Sequence, residues 1–124
     1  MNKLAMRRWI MLACVSALVP TPVVASDVRL DSYRNPKNES FRNINQLYLD
    51  GVKSGLMAYN TRIKSQGGQP AFCMPDNLAL TVEQAEDIML RRADKSSARV
   101  DMLVSILLLS GLRDTFPCEK SDSR

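Results

Sequence analysis

Phe72-Cys73-Met74-Pro75 and Phe116-Pro117-Cys118 are the two stretches on which the reading of this chain turns. Cys73 and Cys118 are its only cysteines past residue 25, and each stands at the edge of a helical pattern. A single disulfide between them joins two ends of a small helical domain and places the protein in an oxidising compartment. The alternative is a metal or redox pair, but there is no Cys-x-x-Cys spacing and the chain contains no histidine. The loop so closed is about 46 residues, for which the chain-entropy model gives a stabilisation of roughly 4 kcal/mol.

The beginning of the chain points to the same compartment. Lys3, Arg7 and Arg8 form a positive head, Trp9 to Val19 an apolar stretch too short to span a bilayer, and Val23-Val24-Ala25 a small-residue cleavage site. A signal peptide is therefore expected over residues 1–25, with the mature protein in the periplasm and free of the membrane. Lipid attachment at Cys14 fits less well, because only Trp9 to Ala13 precede it as an apolar run. Cleavage lowers the basic residues from 17 to 14 against 13 acidic ones, so the net charge falls from +4 to about +1. The whole-chain pI of 9.2 thus belongs largely to the leader, and no nucleic-acid partner is expected.

About 99 residues remain, one domain of a size at which burial alone leaves a thin margin of stability. Residues 26–39 are polar, carry Pro36 and hold no sustained period, which reads as a flexible lead-in. Residues 40–118 form the helical domain, and 119–124 a C-terminal tail. Ser40 is the expected cap of a helix whose apolar stripe runs through Ile44, Leu47, Tyr48, Val52, Leu56 and Tyr59. Gly51 and Gly55 share that stripe, and tight helix packing within the chain is the preferred explanation over a partner groove. Ser65 to Pro70 is a loop. Thr81-Val82-Glu83-Gln84 is a capping box that starts a second helix, with Val82, Ala85, Ile88, Met89 and Ala93 on its buried side.

A third helix is predicted from about Arg99 to Thr115. Val100, Leu103, Val104, Leu107, Gly111 and Leu112 make one apolar face, and Met102, Ile106 and Leu109 a second nearly opposite. Two apolar faces call for enclosure, either inside the bundle or by a dimer partner. The fold class expected is all-α, a small bundle of three to four helices stapled by one disulfide. Catalysis is not expected, since without histidine or a free thiol the usual nucleophile and base pairs are missing. Glu83, Glu86 and Asp87 answer the helix dipole more simply than they serve as acids or bases. No cofactor or metal is expected either.

The order Tyr48-Leu49-Asp50-Gly51-Val52, Gly55-Leu56, Asn60, Phe72-Cys73-Met74-Pro75, Leu80-Thr81, Gln84, Leu103-Val104 and Leu112-Arg113-Asp114-Thr115-Phe116-Pro117-Cys118 resembles the Rap/Tai-type immunity proteins of type VI secretion systems. The paired cysteine tetrads are the most specific part of that resemblance. It implies a periplasmic, commonly dimeric helical protein that binds and inhibits a peptidoglycan amidase effector. It also implies that the loop before the last helix enters the effector's cleft. Here that loop is Asp94-Lys95-Ser96-Ser97-Ala98, a short turn where family members often carry a longer one with proline. The expected partner-binding residues are then Arg91, Arg92, Asp94, Lys95, Ser96, Ser97 and Arg99. The alternative is a periplasmic chaperone-like or structural helical protein with no dedicated enzyme target.

Overall fold

The computed structural model describes residues 27–119; the expected signal peptide and residues 120–124 of the tail lie outside the described residues. Four helices make the fold: α1 (Leu30–Arg34), α2 (Glu39–Ser65), α3 (Val82–Lys95) and α4 (Val104–Thr115). The architecture is an all-α bundle stapled by the Cys73–Cys118 disulfide. Among the described residues no helix is long and apolar enough to cross a membrane.

The frame is the hairpin of α3 and α4. The capping box at its start is present in both directions: the Gln84 amide N–H donates to Thr81 Oγ1 at 3.3 Å, and the Thr81 N–H donates to Gln84 Oε1 at 3.0 Å. Two of the orphan donors of α3 are thereby satisfied. Ala85, Ile88, Met89 and Ala93 turn inward from α3, and Val104, Leu107, Leu108, Gly111 and Leu112 from α4. The two backbones come closest at Gly111. A Cβ there would lie 2.8 Å from Ile88 Cγ2 and 2.9 Å from the Ile88 carbonyl oxygen.

The long loop between α2 and α3 is held at several points. Asn60 of α2 donates from Nδ2 to the Phe72 carbonyl at 2.7 Å, and its Oδ1 accepts from the Ala71 N–H at 2.7 Å. Phe72 is thereby seated in the core. One residue on, the Cys73 N–H donates to the Phe116 carbonyl at 2.8 Å, and the disulfide brings the Cα atoms of Cys73 and Cys118 to 4.8 Å. The end of α4 is thus tied to the loop that begins beyond α2. That loop leaves α2 through a left-handed Gly67, with the Gly68 N–H donating to the Ile63 carbonyl at 3.0 Å. Glycine is the residue that takes this helix ending without a Cβ penalty.

Four readings of the sequence are corrected. Segment 26–39, expected as a flexible lead-in, is docked where described: Leu30 is 1% and Tyr33 6% exposed. It is held by backbone bonds from Leu30 N to Met102 O and Asp31 N to Val100 O, both 2.9 Å, and from Val104 N to Val28 O at 3.0 Å. The same bonds explain the second correction, a last helix that starts at Val104 rather than near Arg99. The Val100 and Met102 carbonyls accept from the lead-in instead of from a helical turn. Third, the cap of α2 is Asn38, whose Oδ1 accepts from the Phe41 N–H at 3.1 Å, and not Ser40.

The fourth concerns the face of α2. Asn45 and Leu49 are buried, whereas Ile44, Leu47 and Tyr59 are 56%, 74% and 65% exposed. A Cβ at Gly51 or Gly55 would meet nothing within 4 Å among the described residues.

Gly111→Ala tests the hairpin frame. The added methyl meets a carbonyl oxygen that cannot rotate away, and overpacking of this kind costs about 1–3 kcal/mol. In a domain of this size each kcal/mol lowers the melting temperature by about 4–8 °C. The expected result is a folded but clearly less stable variant, measured by thermal unfolding. An unchanged melting temperature would show that α3 and α4 do not approach at this point.

Candidate functional site

The turn between α3 and α4 is built by its hydrogen bonds. The Ala98 N–H donates to the Ala93 carbonyl at 2.9 Å and the Ser97 N–H to the Asp94 carbonyl at 3.1 Å. This is the same double bond pattern that ends α2, but the left-handed position is filled by Ser97 at φ 48° rather than by glycine. A side chain in that region costs on the order of 1 kcal/mol. Ser96 adds a bond from Oγ to the Arg92 carbonyl at 2.8 Å. The tip is therefore compact and internally bonded, with its apex polar.

The expected partner-binding residues divide between two sides of this tip. Arg91, Arg92 and Lys95 line a shallow depression between α3 and α4 together with Asp114. There Arg91 pairs with Asp87 at 3.2 Å and Arg92 with Asp114 at 2.8 Å, while Lys95 makes no ion pair among the described residues. Arg99 lies beyond the turn, where it engages both oxygens of Asp101, at 3.1 and 2.8 Å. Asp94 belongs to the other side and forms an ion pair with Arg34 of α1. Of the cations predicted as a cluster, Lys95 alone stands without a carboxylate among the described residues.

On Asp94's side a cleft of about 520 Å³ opens between α1, the first half of α2 and α3. Its walls carry Tyr33, Arg34, Arg42, Asn45, Glu86 and Asp94. Asn45 donates from Nδ2 to the Ser32 carbonyl at 3.1 Å, which fixes the α1 side of the cleft. The Tyr33 hydroxyl is buried beside Glu86 but is in hydrogen-bonding geometry with no partner among the described residues. Burial, and then the negative charge of Glu86, raise its pKa well above the ordinary tyrosine value. The Tyr48 hydroxyl, by contrast, donates to Asp27 Oδ1 at 2.7 Å.

Sequence reasoning missed this cleft. Glu86 reads as one more acid near the start of a helix, and Tyr33 and Arg34 fall in a segment with no period. The signal that was available is the three-residue step from Leu30 to Tyr33, one turn of helix presenting two large apolar groups to the same side. No group of three or more metal-ligating side chains is gathered among the described residues.

Tyr33 yields a prediction in pH. Its folded pKa lies above the unfolded value of about 10, so its contribution is complete below that pH and is lost as pH rises toward the folded pKa. Tyr33→Phe removes this titration. At neutral pH the variant should match or slightly exceed the parent, since it deletes a buried hydroxyl without a partner. Above about pH 10 its melting temperature should fall less steeply than the parent's. Parallel loss in both proteins would rule out Tyr33 as the group responsible.

Compared with protein-family models, with curated proteins and with solved structures, the chain matches none.

Proposed function

We propose that this chain is an exported immunity protein that binds and inhibits a peptidoglycan amidase effector of a type VI secretion system through the tip between α3 and α4. The observation that carries the reading is Ser97, a non-glycine residue in a left-handed backbone at the apex of a fully bonded turn. Backbone strain of this kind persists where the surroundings over-determine it, and such places concentrate at functional sites. A turn already fixed in shape loses little conformational freedom on binding. The unpaired Lys95 beside it supplies a charge to engage a carboxylate or carbonyl in the partner. In this reading the chain performs no catalysis, and the periplasm is where it meets its target.

The test uses the mature protein and a cysteine-and-histidine amidase encoded by a neighbouring gene. The intact protein should inhibit the amidase, and the double variant Arg91→Ala with Lys95→Ala should lose about 2 kcal/mol of affinity, roughly thirtyfold. Both residues are largely solvent-facing, so the variant keeps the fold. Unchanged affinity in that folded variant would sink the tip as the inhibitory surface. Absence of binding by the intact protein would sink the pairing with that amidase.

The exposed face of α2 favours a partner of a second kind. Ile44, Leu47 and Tyr59 offer apolar area in line with the open Gly51 and Gly55. Ile106 of α4 is half exposed as well. We propose that a second copy of the chain covers this surface and that the protein is a homodimer, in preference to a chaperone-like protein that holds unfolded clients there. Leu47→Glu places a charge on the proposed interface without touching the core, so it should sediment as a folded monomer while the parent sediments as a dimer at tens of micromolar, a range in which a modest interface assembles. A monomeric parent that suppresses aggregation of an unfolded test protein would favour the chaperone-like reading instead.

A further inference from the structure

The cleft between α1, α2 and α3 combines three features that the tip does not explain. Its charges balance, with Arg34 and Arg42 against Glu86 and Asp94. Arg34 and Asp94 neutralise each other directly. Arg42 is held only by the exposed Glu39 at 3.4 Å, and Glu86 is in no ion pair among the described residues. What remains is one available guanidinium and one available carboxylate on separate elements, α2 and α3, facing a common space.

The third feature is the Tyr33 hydroxyl. Tyr33 is 6% exposed, lines the cleft, and leaves its hydroxyl without a partner. A buried hydroxyl with no hydrogen bond is less stable than one that is satisfied. Asn45, which spends only its Nδ2 on the Ser32 carbonyl, adds an uncommitted carbonyl oxygen among the described residues. An arrangement with separated opposite charges and spare hydrogen-bonding capacity suits neither a simple anion nor a simple cation. It suits a small molecule that carries both charges.

We propose that this cleft binds a zwitterion of amino-acid or dipeptide size, with the ligand's ammonium at Glu86 and its carboxylate at Arg42. The volume of about 520 Å³ lies within the usual range of small-molecule sites. Glu86 already lines the cleft beside the Tyr33 hydroxyl, which is therefore placed to donate to the carboxylate that holds the ligand's ammonium. The proposal goes beyond the inhibitory tip and does not rest on it. Amidase binding through Lys95 and ligand binding at Glu86 can each fail alone.

The experiment is a calorimetric titration of the full mature chain with alanylalanine, its N-acetyl form, which keeps only the carboxylate, and its C-terminal amide, which keeps only the ammonium. The expected result is a Kd of about 1 mM or tighter for the zwitterion and at least about tenfold weaker binding for each blocked form. Glu86→Gln and Arg42→Gln should each weaken the zwitterion by about tenfold or more with the melting temperature little changed, as charged hydrogen bonds are lost at each end. Tyr33→Phe should weaken binding while leaving stability intact, an outcome that a purely structural tyrosine would not produce. No heat or chemical-shift change with any of the three probes at about 10 mM, a range well above the expected Kd, would overturn the proposal. Equal binding of the blocked forms, or zwitterion binding unaffected by Glu86→Gln, would overturn it as well.

Discussion

The bundle depends on a contact that leaves no room for a methyl group. Gly111 lets α4 lie against the Ile88 carbonyl of α3, and everything else is arranged around that hairpin. With the two helices this close, Leu107, Leu108 and Leu112 share one buried cluster with Leu49 of α2, Leu30 and Tyr33 of the N-terminal segment, and Phe72 of the loop. A wider hairpin would separate these groups and open cavities among them, which interiors packed at crystalline density tolerate poorly. The disulfide acts on the same frame from its end. It fixes the exit of α4 to a loop that Asn60 has already fixed to α2, so α2 and α4 share one anchored corner.

How far the fold is legible in the residues depends on whether the deciding interaction is local. The capping box at Thr81 is a pair of bonds between residues three apart, so sequence identifies it and the structure contains it. Cys73 and Cys118 are legible for a different reason, since they are the only cysteines past residue 25 and have one pairing to make with each other. The start of α4 is not legible. Val100 and Leu103 carry a helical period, but the Val100 and Met102 carbonyls and the Val104 N–H are claimed by Asp31, Leu30 and Val28, some seventy residues away. Periodicity describes what a side-chain pattern allows; it does not see a competing acceptor arriving from elsewhere in the chain.

The candidate sites divide along the same line. The tip is legible as a polar turn between two helices, and so are the local pairs of Arg91 with Asp87 and Arg99 with Asp101, whereas the pairing of Arg92 with Asp114 across the hairpin is not. Asp94 is the residue whose meaning changes most. By position it belongs to the tip, and by contact it belongs to the cleft, where its ion pair with Arg34 joins the end of α3 to α1. A pair that exposed is worth about 1 kcal/mol at most.

The outer side of α2 gives the strongest sense of what the isolated chain lacks. Glycine in a helix interior costs about 1 kcal/mol relative to alanine, and here two stand four residues apart in a helix of 27. Within the chain neither is needed, for a Cβ at either position would touch nothing. Gly111, on the opposite part of the bundle, shows what the same substitution looks like when it is required, with a neighbouring carbonyl inside 3 Å. The contrast between Gly111 and the pair at 51 and 55 is the argument for an outside partner. One glycine is explained by the fold; the other two, with Leu47 and Tyr59 exposed beside them, meet nothing among the described residues and are the ground on which the homodimer is proposed.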